Sequence, residues 1–72
     1  MTNFKKAVGH RIRVARTDAR MTQEDLAKAS GVSPTGIVNI ENGYSSPTLE
    51  NAYKIAKAIG CTVNDLCGLG QR

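Results

Sequence analysis

The sequence predicts an all-α fold, a compact bundle of five short helices with one tight turn between the second and third. Three observations carry this prediction. Apolar residues recur at intervals of three and four, Ser or Thr residues stand where helices start, and glycines stand where they stop. No segment shows the strict alternation of a strand, and no repeat or low-complexity stretch interrupts the pattern. The chain has 72 residues, enough for one domain near the size at which a single apolar core only just offsets chain entropy. The expected core spans residues 4–67, with 68–72 fraying.

The elements follow in order. Phe4, Val8, Ile12 and Ala15 lie on one helical face between basic residues, which predicts a first helix over residues 4–19. Thr22 with Asp25 three residues later is a variant capping box, and Leu26, Ala27 and Ser30 precede Gly31, so the second helix is short. Ser33 as N-cap and Pro34 at the first helical position restart the chain into a third helix that reaches Asn42 and stops at Gly43. After the Ser45-Ser46-Pro47-Thr48 loop, Leu49, Ala52, Tyr53, Ala56 and Ile59 predict an amphipathic fourth helix closed by Gly60. Thr62 to Cys67 makes a last single turn.

Charge is distributed unevenly. Residues 1–20 carry Lys5, Lys6, Arg11, Arg13, Arg16 and Arg20 against Asp18, a net +5, while the remainder of this +4 chain is −1. A basic face on one element fits a polyanionic partner, and a solvated basic helix has the same composition. Lys5 and Lys6 interrupt any apolar leader, and no run approaches the ~18 apolar residues of a membrane span, so a soluble, cytoplasmic protein without a membrane partner is expected. Cys61, Cys67 and the single histidine, His10, are too few for a disulfide framework or a complete metal site. With no nucleophile–base arrangement and no phosphate-binding glycine loop, neither an enzyme nor a cofactor or metal is expected.

The informative stretch runs from Gln23 to Gly43. Ala27 is small where two helices must approach, Gly31 suits the left-handed residue of a sharp turn, Val32 is the buried turn residue, and Ile37 and Ile40 face back onto the second helix. Each feature alone is ordinary core; their joint spacing is that of a helix-turn-helix. The sequence here resembles the Cro and phage-repressor (XRE) family of helix-turn-helix domains. The resemblance runs through Val8-Gly9-x-x-Ile12-Arg13-x-x-Arg16, Met21-Thr22-Gln23-Glu24-Asp25-Leu26-Ala27, Gly31-Val32-Ser33, Ile40-Glu41-Asn42-Gly43, Pro47-Thr48-Leu49-Glu50 and Ile59-Gly60. It implies a lambda-repressor-like five-helix fold and a transcriptional regulator, most simply a repressor. Its third helix (33–42) enters the major groove of double-stranded DNA while the second lies across the backbone. It also implies that Arg16 and Glu41 form the family's structural ion pair, with phosphate contact a second role for Arg16.

With Ile37 and Ile40 on the core side, the third helix presents Ser33, Pro34, Thr35, Val38, Asn39 and Asn42 on its other face. Base contacts are expected from Ser33, Pro34, Thr35, Val38 and Asn39. Asn39 suits an adenine edge, Thr35 offers a hydroxyl and a methyl, and Val38 suits a thymine methyl; the alternative is a solvated polar face. Gly36 sits inside this helix, and no Arg, Lys or Gln projects from its reading face, so direct readout is thin and DNA shape is the other source of specificity. Phosphate contacts are expected from Gln23 at a helix N-terminus, from Asn42 and Tyr44 through backbone N–H and phenol groups, and from Arg16 and Arg13. Arg13, Arg20 and Lys6 otherwise supply diffuse attraction.

Because one recognition helix reads few base pairs, a homodimer on a palindromic operator is expected, with Leu66 and Leu69 of the last helix as the dimer surface. A second reading, an antitoxin or adaptor whose main partner is a protein, calls for exposed Val14, Val38 or Tyr53. A third, a thiol redox sensor, rests on Cys61 and Cys67 alone.

Overall fold

The computed structural model describes residues 3–68. Five helices follow one another: α1 Asn3–Asp18, α2 Gln23–Ser30, α3 Pro34–Glu41, α4 Leu49–Ile59 and α5 Val63–Cys67, with no strand among the described residues. Leu69 and the rest of the expected fraying tail, apart from Gly68, lie outside the described residues.

The caps are those the sequence encodes. Thr22 is extended; its hydroxyl accepts the Asp25 N–H at 3.0 Å while the Asp25 carboxylate accepts the Thr22 N–H at 2.9 Å. Thr62 and Asp65 repeat this reciprocal arrangement at α5, both bonds 3.0 Å long. Ser33 and Thr48 cap α3 and α4 through their side-chain oxygens. Each cap satisfies N–H groups that have no partner inside the helix.

Val8, Ile12, Leu26, Val32, Ile37, Ile40, Ile55 and Leu66, with Ala27 and Ala56, form one core to which every helix contributes. α1 packs against α3 and α5, and α2 packs against α3 and α4. At the α1–α3 crossing Gly9 has no room for a side chain: a Cβ there would stand 2.3 Å from the Ile40 carbonyl oxygen and 2.7 Å from that of Glu41. Close backbone approach, rather than turn geometry, therefore demands this glycine.

Some expectations are corrected. α1 ends at Asp18, one residue early, where the chain turns through Arg20 in the left-handed region (φ 61°). α3 ends at Glu41, with Asn42 as its C-cap. On α4 the buried face is Ala52, Ile55 and Ala56; Leu49 and Tyr53, expected on the apolar face, are exposed. Both long side chains lie outside the buried strip of Ala52, Ile55 and Ala56, and Ile55, absent from the expected set, takes the core position. Phe4 is likewise exposed. Leu66 is 2 % exposed and fully committed to the core, so it cannot be a dimer surface. Cys61 and Cys67 are free and half-buried.

Candidate nucleic-acid interface

The turn between α2 and α3 is built locally. Gly31 takes φ 80° and its N–H donates to the Ala27 carbonyl, closing α2. Ser30, itself buried, accepts the Val32 N–H at 3.2 Å, which seats Val32 in the core. Ser33 then opens α3 by accepting the Gly36 N–H at 3.0 Å. A Cβ at Gly36 would lie 3.1 Å from the Ser33 hydroxyl and 3.2 Å from a Val32 methyl. The glycine thus lets the cap and the turn residue pack together.

Ile37, Ile40 and Glu41 are the buried side of α3. On its other side Ser33, Pro34, Thr35 and Asn42 are exposed and Val38 and Asn39 half-exposed, so all the expected base-reading residues share one accessible face. The Ser33 oxygen is occupied as an acceptor, which leaves its O–H to donate.

Beside this face lies a polar cluster centred on Glu41, whose side chain is 0 % exposed. Its carboxylate accepts from Arg16 Nε at 2.6 Å, Arg16 Nη2 at 3.1 Å, Gln23 Nε2 at 3.1 Å and Arg13 Nε at 3.5 Å. Arg16 also donates Nη1 to the Met21 carbonyl at 2.8 Å, holding the α1–α2 turn. One buried acid therefore ties α1, α2 and α3 together. Burial works to raise the Glu41 pKa, but hydrogen bonds from Arg16, Gln23 and Arg13, with the Arg16 charge, outweigh it and hold the carboxyl below its ordinary 4.5. The Arg16–Glu41 pair is as the resemblance implies. The bond from Gln23 was not legible, nor was the approach of Arg13, although Arg13 and Arg16 stand three apart on one helix face and both reach the same acid.

Four of the expected phosphate ligands thus meet at one rim, Gln23 at the start of α2, Arg13 and Arg16 on α1 and Asn42 after α3, and Tyr44 follows Asn42 two residues on. One expectation is corrected. The Asn42 N–H donates to the Val38 carbonyl at 3.0 Å and the Tyr44 N–H to the Asn39 carbonyl at 2.9 Å, so neither amide is free. Their side chains remain: Tyr44 is 72 % exposed, and Asn42 Oδ1 accepts from Arg13 Nη2 at 3.1 Å. Lys6 packs its stem beside Gly43, at the same end of α3. Arg20 and His10 are exposed, and no group of His, Cys, Asp or Glu among the described residues could hold a metal ion. Val14 and Tyr53 are exposed and Val38 half-buried, but the Tyr53 ring carries Lys57 Nζ of its own helix at 5.9 Å.

A family model described as helix-turn-helix matches residues 12–66. The chain belongs to the helix-turn-helix family (HTH_3). An HTH-type transcriptional regulator of Archaeoglobus fulgidus is 46% identical over 56 residues, 78% of this chain and 80% of that protein. Among solved structures, the restriction-modification controller protein C.AhdI of Aeromonas hydrophila is similar with a TM-score of 0.83 and 31% identity, over 86% of this chain and 94% of that one. The P22 c2 repressor in complex with a synthetic operator is similar with a TM-score of 0.77 and 34% identity, over 82% of this chain and 89% of that one. This helix-turn-helix protein is a DNA-binding transcription regulator, and its partner is double-stranded DNA. No described helix is long and apolar enough to cross a membrane.

Proposed function

We propose that this regulator reads an operator in the major groove with α3 and acts as a repressor by occupying it. The observation that carries the reading is the single accessible face of α3, with Thr35 and Asn39 at its centre and Ser33, Pro34 and Val38 around them, held by a buried ion-pair cluster. Asn39 bonds an adenine edge, Thr35 and Ser33 supply hydroxyls, and Val38 and Pro34 supply apolar contact. Gln23, Arg16, Arg13 and Tyr44 grip the backbone and set the register, with Asn42 at the same rim beside Arg13, and these residues carry no sequence information themselves. The function is binding, without a catalytic step, and its place is with the DNA in the cytoplasm. The 72 residues act as one domain with its core in 4–67.

Two copies bind together. Five residues of one helix specify too little sequence for a genome, and twofold symmetry doubles the site, placing half-sites about 34 Å apart on a palindrome. With Leu66 buried, an apolar surface that suits the dimer among the described residues is the groove bordered by exposed Phe4 and Leu49 and lined by Pro47, Val63 and Cys67. Selection of bound duplexes from a random pool tests the reading: enrichment of a twofold-symmetric site supports it, and failure to enrich any sequence refutes it in favour of a protein partner.

A further inference from the structure

We propose that Asn42 acts on DNA through Arg13, as a positioning residue that holds the guanidinium at the α3 rim where a backbone phosphate lies. This rests on the reading of the α2–α3 face as the DNA surface.

Two neighbouring acceptors at the end of α3 hold Arg13 across from α1: Glu41 Oε1 lies 3.5 Å from Arg13 Nε, and Asn42 Oδ1 lies 3.1 Å from Arg13 Nη2. The charges at this cluster do not balance. Glu41 carries one negative charge, and Arg16 takes it with two bonds, the shorter 2.6 Å, at 12 % exposure. Arg13, whose side chain is 47 % exposed, brings a second positive charge that the cluster leaves over. A guanidinium has five N–H donors, and two are engaged here, so three remain for an anion.

Asn42 fixes this surplus cation without cancelling it, as an aspartate there would. The oxygen of Asn42 faces Arg13 and its backbone N–H is spent inside the helix, so only its side-chain N–H groups are left for a direct contact. Holding the guanidinium in advance removes rotamer entropy that binding otherwise has to remove.

A double-mutant cycle on a duplex of mixed sequence tests this, since phosphate contacts act on any sequence and need no known operator. Affinity is measured between about 50 and 200 mM salt for wild type, Arg13→Ala, Asn42→Ala and the double variant. Arg13→Ala is expected to weaken binding about tenfold at ~0.1 M salt and to flatten the log–log salt slope by about 0.9. Asn42→Ala is expected to weaken binding about threefold, the scale of an exposed polar pair, and the double variant to bind no more weakly than Arg13→Ala alone. Both residues are exposed, and all three variants are expected to melt within a few degrees of wild type, so a slope change reports phosphate contact rather than folding. A double variant that is threefold weaker than Arg13→Ala overturns the proposal, because Asn42 then meets DNA on its own; so does an Asn42→Ala protein with unchanged affinity. An unchanged salt slope in Arg13→Ala removes the phosphate reading of this rim itself.

Discussion

Replacing Glu41 with glutamine keeps the shape of the side chain and removes its charge. In the native cluster that carboxylate is 0 % exposed and serves Arg16, Gln23 and Arg13 at once. Arg16 is 12 % exposed, so its guanidinium cannot regain full hydration when its counterion is lost. Removing one partner of a buried pair costs roughly 3–5 kcal/mol, and since glutamine still accepts one bond the low end applies, about 3 kcal/mol. For a domain of this size each kcal/mol moves the melting temperature by about 4–8 °C, so Glu41→Gln is expected to melt about 12–24 °C below wild type at neutral pH. Acid supplies the second arm. Because the folded Glu41 titrates below its ordinary 4.5, its contribution is fully present above that value and is lost as pH falls through the lowered folded value. The gap between wild type and variant therefore narrows on acidification. Asp25 and Asp65 are also held low, each by the backbone N–H and hydroxyl of its capping threonine, but both proteins contain them and they cancel in the difference. Circular-dichroism melts at a series of pH values decide the matter. A neutral-pH gap under about 5 °C, or a gap that stays constant far below the ordinary carboxyl range, refutes the assignment of Glu41 as the tie between three helices.

Three further outcomes are expected. Gly9→Ala forces α1 away from the Ile40 and Glu41 carbonyls and costs about 3 kcal/mol, the upper end for overpacking against backbone, whereas Gly31→Ala, in open space but at φ 80°, costs about 1 kcal/mol; equal melting of the two contradicts the close approach at Gly9. Leu49→Asp, at a side chain 79 % exposed, leaves melting unchanged but shifts the DNA-bound species from two protomers to one by sedimentation, and an unaltered dimer places the contact elsewhere. Burial and the nearby Asp65 charge push the Cys61 thiol up, so alkylation at neutral pH is slower in the folded chain than in denaturant; equal rates exclude this protection.

Local chemistry made most of this fold legible. Thr22 with Asp25, Ser33 with Pro34, and Gly31 and Gly60 mark helix ends through bonds a few residues long, and the structure forms each of them. Where the reading slipped, the deciding partner was distant in sequence. Periodicity alone placed Leu49 and Tyr53 on the buried side of α4, yet which strip is covered depends on where α2 lies, and Ile55 takes the core. Leu66 looked free for a second subunit, but α5 packs against α1 and α4 and Leu66 is buried in the core. At the site, Arg16 and Glu41 could be paired by resemblance, but the bond from Gln23 spans 18 residues and that between Arg13 and Asn42 spans 29. Spacing on one helix carries no record of such contacts. The accessible face of α3 was legible because Ile37 and Ile40 fix the opposite side.

In the proposed division of labour, α3 reads sequence while its rim only positions the protein. Binding of Asn39→Ala to the selected operator, compared with its binding to mixed-sequence duplex, separates the two roles. A loss of about 1–3 kcal/mol on the operator, little change on mixed sequence and relaxed preference at one base pair per half-site are expected. Equal losses on both duplexes would contradict this division, because a side chain that reads a base cannot matter equally where that base is absent.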